Sequence, residues 1–217
     1  MSIQKKHQRG FTLIEIAIVL VIIGLLIGGV LKGQELIYNQ KVKSTYDAYR
    51  QYTAAMYGYQ DRFKAIPGDD ANATTRGFVV SPVDPAIANG NGNGSIAGMG
   101  NQCATAVATT GIEVCQANYH LRLAGFLAGQ GTMSATHPFG GVVTLAAPLP
   151  QIAGFTAQTA VCWFSLTNKA AQMIDTSYDD GRATTGSMRG NGDYTAAMTG
   201  AVPLPDSVAA TWSCMSD

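Results

Sequence analysis

Apolar and polar positions divide this chain into blocks before any composition is counted. Ten mostly polar residues lead into residues 11–31, a run of 21 whose one charged side chain is Glu15. A helix needs ~20 apolar residues to cross the ~30 Å of hydrocarbon in a bilayer, so the run predicts a membrane span. Lys5, Lys6 and Arg9 stand just before it, and no comparable basic cluster hugs its far end. The positive-inside rule then places the amino terminus in the cytoplasm and the chain after Lys32 outside. A cleavable secretory signal has a shorter apolar stretch closed by small residues. Here the stretch is longer and passes directly into a helical pattern.

Past Lys32, Tyr49, Tyr52, Met56, Tyr59, Phe63 and Ile66 recur at steps of three and four, with Lys41, Lys43, Asp47, Arg50, Asp61 and Arg62 largely between them. That spacing is an amphipathic helix with one apolar seam. The tyrosines read as a packing surface for a globular head rather than as a cofactor site or a conducting ladder. No proline precedes Pro67, which with Gly68 closes the helix. Unbroken from Phe11 to about Ala65, at ~1.5 Å per residue, the helix would measure roughly 80 Å. Further on, residues 112–127 predict a short helix with Tyr119, Leu123, Phe126 and Leu127 on one face and Gly129 and Gly131 beyond its end. Residues 141–146 and 159–166, rich in Val, Thr, Phe and Trp, predict strands. Residues 168–176 predict a second short helix capped by Asn168. The expected fold class is α+β, with a long N-terminal membrane-spanning helix packed on an antiparallel sheet head with short accessory helices.

Charge refines this division. Fourteen basic residues cancel fourteen acidic ones, and only 13% of positions are charged against 47% hydrophobic. The balance argues against a nucleic-acid-binding surface, and the apolar content against intrinsic disorder. Residues 77–174 hold only Asp84, Glu113, Arg122 and Lys169, whereas the last 43 residues are mainly acidic.

Glu15 is the most informative residue. A carboxylate inside hydrocarbon costs roughly 2.5 to 3.5 kcal/mol on insertion scales, so a functional reason is the default. Gly10-Phe11-Thr12-Leu13-Ile14-Glu15, behind a short basic leader and before an apolar run, resembles the processing site of type IV prepilins and type II secretion pseudopilins. The resemblance implies the pilin fold and cleavage by a prepilin peptidase after Gly10, with methylation of the new amine on Phe11. It also implies that Glu15 on one subunit neutralises the amine of Phe11 on its neighbour, each offsetting the other's desolvation cost. Gly24 and Gly28 add a GxxxG spacing that permits close helix approach. Many major type IV pilins carry a helix-breaking proline shortly after the span, where this chain reads Leu31-Lys32-Gly33.

The implied organisation is a cytoplasmic leader over residues 1–10, a transmembrane half-helix over 11–31, an amphipathic half-helix over 32–66 and an exported head over 67–217. Losing the leader removes Lys5, Lys6 and Arg9, leaving eleven basic against fourteen acidic side chains, a net of minus three. The implied role is a structural subunit of a type IV pilus-like filament. The alternatives are a minor tip pilin or adhesin, and a pseudopilin of a secretion system. Implied partners are the chain itself or other pilins, the prepilin peptidase, an inner-membrane assembly platform and membrane lipid, with no direct nucleic-acid contact. The chain would sit in the inner membrane before assembly and in an extracellular or periplasmic filament after it. Pro67-Gly68-Asp69-Asp70, Tyr119-His120-Leu121-Arg122-Leu123-Ala124-Gly125, Tyr178-Asp179-Asp180-Gly181 and Gly186-Ser187-Met188-Arg189 also resemble elements of a bacterial prepilin subgroup.

Residues 89–96, Asn-Gly-Asn-Gly-Asn-Gly-Ser-Ile, mimic the start of a calcium loop, but asparagine stands for every aspartate and Gly100 fills the twelfth place. Neutral amides do not offset cation dehydration, so Ca2+ would need Asp69, Asp70 or Asp84, and a flexible polar loop is the reading taken. Asp179, Asp180, Asn191 and Asp193 form a second oxygen cluster, read as turns and solvated acids. No cofactor is expected, with Ca2+ on Asp69 and Asp70 or on Asp179, Asp180 and Asp193 kept as the alternative. Cys103, Cys115, Cys162 and Cys214 all follow the span, none in a CxxC arrangement, and His7, His120 and His137 do not complete a zinc spacing. Oxidation outside the cytoplasm gives two disulfides from three connectivities. Cys103 with Cys115, closing a short loop, and Cys162 with Cys214, tying the carboxy terminus to a strand, are favoured. The second resembles the carboxy-terminal disulfide loop of many type IV pilins. No nucleophile elbow, metal-binding helix or phosphate loop is found, so no enzyme is expected.

Overall fold

The structure, a computed structural model, describes residues 12–79, 87–98, 103, 112–147, 159–190 and 211–216. Its first element, α1, runs unbroken over Leu13–Phe63, 51 residues, and contributes to two compact units that divide after Gln40. In the first unit, the large apolar side chains from Leu13 to Leu31 are each between 46% and 93% exposed. By length and composition this part of α1 is able to cross a membrane.

In the second unit, α1 buries Val42, Thr45, Tyr49, Tyr52, Ala55 and Tyr59. Their three- and four-residue steps put them on one face of a 3.6-residue helix. The expected seam is right at Tyr49, Tyr52 and Tyr59. Met56, Phe63 and Ile66 are only half-buried, and Ala55 takes the inward place beside Met56. The helix stops at Phe63, and Lys64 turns into the left-handed region at φ +54° ahead of the Pro67-Gly68 turn.

After a short 3-10 turn, Ala73–Thr75, comes α2, Glu113–Leu123. It ends earlier than residue 127. Gly125, at φ +81°, donates to Arg122 O and Phe126 N donates to Leu121 O, a Schellman closure that needs the left-handed residue at Gly125 rather than Gly129. Every residue of α2 from Glu113 to Leu121 is buried, so its polar side chains must find partners inside the protein.

The sheet comprises β1 (Ala135–Thr136), β2 (Val142–Ala146), β3 (Ala160–Leu166), β4 (Met188–Gly190) and β5 (Thr211–Met215). The spatial order is β1-β2-β3-β5-β4 and every pairing is antiparallel. Between β3 and β4 lies α3, Asn168–Tyr178. Its cap is Thr167, whose hydroxyl accepts from Ala170 N at 3.3 Å, and not Asn168. In β3 every residue but Ser165 is buried, as befits a strand covered on both faces. Ser165, at φ +61°, marks the irregularity between Trp163 and Leu166 where β3 slips against β5.

Helix and sheet meet around Trp163, a fully buried side chain whose Nε1 donates to Thr45 O of α1 and whose ring lies 5.8 Å from that of Tyr49. Nearby, Asn118 of α2 accepts from the Tyr52 hydroxyl at 2.9 Å and donates to the Thr144 hydroxyl of β2 at 3.0 Å. One buried amide thus connects α1, α2 and the sheet. An apolar residue at position 118 would leave the Tyr52 hydroxyl and its neighbours short of partners.

Candidate functional site

The amino-terminal end of α1 is a reciprocal cap. Glu15 N donates to Thr12 Oγ1 at 3.3 Å, while Thr12 N and Thr12 Oγ1 approach Glu15 Oε2 at 3.3 and 3.2 Å. This is the capping box, a Thr at the cap and a Glu three residues on, which satisfies two otherwise orphaned helix donors. The Thr12-Leu13-Ile14-Glu15 spacing that announces it is plain in the sequence, yet attention to the charge of Glu15 alone misses it. Gly10 and Phe11 lie outside the described residues. Beyond the cap, a Cβ added at Gly24, Gly28, Gly29 or Gly33 would meet nothing within 4 Å. The end of α1 thus offers a carboxylate held at the helix start and, after it, apolar surface in need of cover.

The Pro67-Gly68-Asp69-Asp70 turn is an organising centre of the second unit. Asp70 accepts from the Tyr59 hydroxyl at 2.8 Å, from Arg76 through both carboxylate oxygens at 3.0 Å and from Asn72 N at 2.9 Å. Burial acts to raise the Asp70 carboxyl pKa, but the Arg76, Asn72 and Tyr59 bonds together outweigh it and hold the value below 3.8. For Tyr59, burial and then the Asp70 hydrogen bond push the phenol upward, so it stays a donor. Arg76 also donates to Phe63 O at 3.2 Å and caps the end of α1.

Asp69 faces the loop read above as freely polar. That loop is clamped: Asp69 Oδ1 and Oδ2 accept from Asn93 N at 3.1 Å and Gly94 N at 2.7 Å. Glu113 of α2 accepts from Asn91 N at 3.0 Å and Ala97 N at 2.7 Å. Backbone N–H groups converging on a carboxylate supply a nest of positive charge that offsets its desolvation. Glu113 is a partner that reading in sequence misses, because the residues it holds lie 22 and 16 positions away.

His120, fully buried, accepts from Gly68 N at Nδ1 and bonds Ala88 O through Nε2, each at 3.0 Å. Burial drives its pKa down to about 4, so it is neutral near pH 7 with the proton on Nε2. His137 is likewise lowered by burial and bonds Phe164 O at 3.0 Å. Arg122 gathers the carbonyls of Ala128, Gln130, Gly131 and Met133. The segment from Tyr119 to Gly125 is therefore a fastening element: His120 holds the turn, Arg122 the following loop, and Gly125 ends the helix.

Asp175, Asp179 and Asp180 bring one oxygen each within 4.8 Å of one another, while Asn191, Asp193 and Asp84 lie outside the described residues. Asp175 joins a cluster that sequence neighbours alone do not suggest. Their oxygens serve the turn after α3, where Asp175 accepts from Gly181 N at 2.8 Å, Asp179 from Met188 N at 2.7 Å, and Asp180 from Arg182 N at 2.9 Å and the Thr185 hydroxyl. Tyr178 stacks on Tyr46 of α1 with ring centroids 3.5 Å apart. Disulfides join Cys103 to Cys115 and Cys162 to Cys214. The second links residues directly opposite in β3 and β5.

Residues 5–31 match the family model described as the prokaryotic N-terminal methylation motif. That motif is the signature of type IV prepilins and pseudopilins, and here it precedes an α+β, pilin-like architecture. The apolar N-terminal helix fits the membrane anchoring typical of prepilins. Neither a curated protein nor a solved structure gave a match to the chain.

Proposed function

We propose that this chain is a structural subunit of a type IV pilus-like filament, cut after Gly10 by a prepilin peptidase and assembled through its N-terminal helix. The observation that carries the reading is the methylation motif set against a helix whose apolar side chains from Leu13 to Leu31 are bare. A surface of that kind is stable only in lipid or against other apolar helices, and a filament exchanges the first cover for the second. Glu15 fits the exchange because its carboxylate sits at the helix start, in reach of a charge offered by a neighbour's new amino terminus. The second unit acts as a scaffold and contact surface, not as an enzyme. Before assembly the chain is anchored in the inner membrane with its leader in the cytoplasm. An assembly platform then draws it into a filament of like subunits.

The test is the yield of sheared surface filaments from cells carrying Gly10→Val or Glu15→Ala. Gly10→Val should retain the leader, visible by mass spectrometry, and give no filaments. Glu15→Ala should be cleaved normally and still fail to enter filaments. Wild-type filament yield from Glu15→Ala would overturn the assembly role. Abundance of the wild-type chain in the filaments separates a major subunit from a scarce tip or priming subunit.

A further inference from the structure

Residues 89–94 contain three successive Asn-Gly pairs. This dipeptide is chemically labile. Glycine has no side chain to obstruct its own backbone nitrogen, which attacks the Cγ of the preceding asparagine to form a five-membered succinimide and expels ammonia. Water then opens the ring to aspartate or isoaspartate. The attack needs a glycine nitrogen free to lose its proton and a carboxamide free to rotate over it.

In the folded protein neither is free. Gly90 N donates to Asp70 O at 3.0 Å, Gly92 N to Asp69 O at 3.1 Å, and Gly94 N to the Asp69 carboxylate at 2.7 Å. The carboxamide oxygens are held too: Asn89 accepts from Thr74 N, Asn91 from Asn93 N and Asn93 from Ser95 N, each at 2.9 Å. Asn89, Asn91 and Asn93 are nonetheless exposed, so water reaches them once the backbone clamp opens. Gly94 differs from the other two in donating to a charged acceptor, which opposes loss of its proton most strongly.

We propose that this run is a deamidation site kept closed by the Asp69 turn, with Asn93-Gly94 the pair under direct control of the Asp69 carboxylate. Opening of the turn converts an amide loop into an acidic one. Each event replaces a neutral carboxamide by a carboxylate, and isoaspartate also lengthens the backbone. At Asn93 the new charge arises on the residue whose own backbone N donates to Asp69 at 3.1 Å, and two like charges that close oppose re-formation of the clamp. The modification thereby records, irreversibly, that this part of the protein has opened.

Peptide mapping by mass spectrometry tests this on the full chain in detergent micelles at mildly alkaline pH. The native loop should deamidate at least about tenfold more slowly than the same loop in the urea-unfolded chain, because the rate is limited by the open fraction. Equal rates would overturn the proposal. Asp69→Ala should accelerate Asn93-Gly94 selectively, with Asn191-Gly192 as an internal reference of the same dipeptide. An equal increase at both pairs, or none at Asn93, would remove Asp69 from the mechanism. Asp69→Asn, which keeps one acceptor oxygen without the charge, should give an intermediate rate. A rate at or below wild type would equally exclude the carboxylate as the controlling group.

Discussion

The hydroxyl of Tyr59 donates to Asp70 at 2.8 Å, so the last turns of α1 are bonded to the turn that follows it by a group on each side of Pro67. Asp70 also holds Arg76 through both carboxylate oxygens. Asp70→Asn keeps the shape but removes the charge from the buried side of the pair, leaving the partly exposed Arg76 without its counter-charge. It should cost about 2 kcal/mol in stability, less than breaking a fully buried pair because Arg76 keeps solvent contact. Urea unfolding of the detergent-solubilised chain measures it. A loss no larger than that of a surface substitution would mean that the pair adds little.

Acid should weaken the protein before its carboxylates titrate. The folded His120 has a pKa of about 4 against an ordinary 6.5. The unfolded chain therefore binds the proton more readily between those values, and stability falls as the pH drops from 6.5 toward 4. The span of the shift corresponds to about 3 kcal/mol. His137 is lowered in the same direction and adds to the slope. His120→Asn, which retains an acceptor for Gly68 N, should flatten much of the dependence of the melting temperature on pH in this window.

Thr12→Val removes the hydroxyl half of the capping box while Thr12→Ser preserves it. The valine variant should lose about 1 kcal/mol at the start of α1. Faster amide exchange at residues 13–16, with the serine variant close to wild type, is the expected signature. Leader cleavage should proceed in both.

Two neighbouring backbone positions should respond in opposite directions. Gly68 lies at φ +90°, and a Cβ there would collide with Glu113 O, so Gly68→Ala should destabilise by more than about 3 kcal/mol. Lys64 holds φ +54° with a side chain that disfavours it. Lys64→Gly should stabilise by up to about 1 kcal/mol, at the cost of the exposed pair between Lys64 and Asp61. Melting temperatures of both variants supply the comparison.

The two disulfides should differ in weight. They close 52 and 12 residues, which in the chain-entropy model correspond to about 4 and about 3 kcal/mol. Replacing Cys162 and Cys214 together by alanine should lower denaturant stability by more than the same change at Cys103 and Cys115.

What could be read ahead of the structure follows from the range of the interactions involved. The long helix was legible because its apolar period persists through Tyr49, Tyr52 and Tyr59 and no proline interrupts it. The end of α2 was not, since Phe126 and Leu127 continue the apolar face while Gly125 has already turned the chain. Thr167 and Asn168 are both good caps and adjacent, so composition does not choose between them. The strands β1 and β4 have two and three residues, too few to show a period of two. At the candidate site, Glu15 stood out by its charge and Thr12 did not. The bonds from Asp69 and Glu113 to the asparagine-glycine loop join segments far apart in sequence, and no local pattern announces them.

The position of β5 bears on the order in which the protein is completed. β5, the last strand among the described residues, lies inside the sheet, bonded to β3 on one side and β4 on the other, with a cystine across the β3 pairing. A polypeptide emerging amino terminus first holds a gap between β3 and β4 until residues 211–215 arrive. Truncation before Thr211 therefore removes the keystone of the sheet rather than a dispensable tail, because β3 and β4 have no partner between them without it.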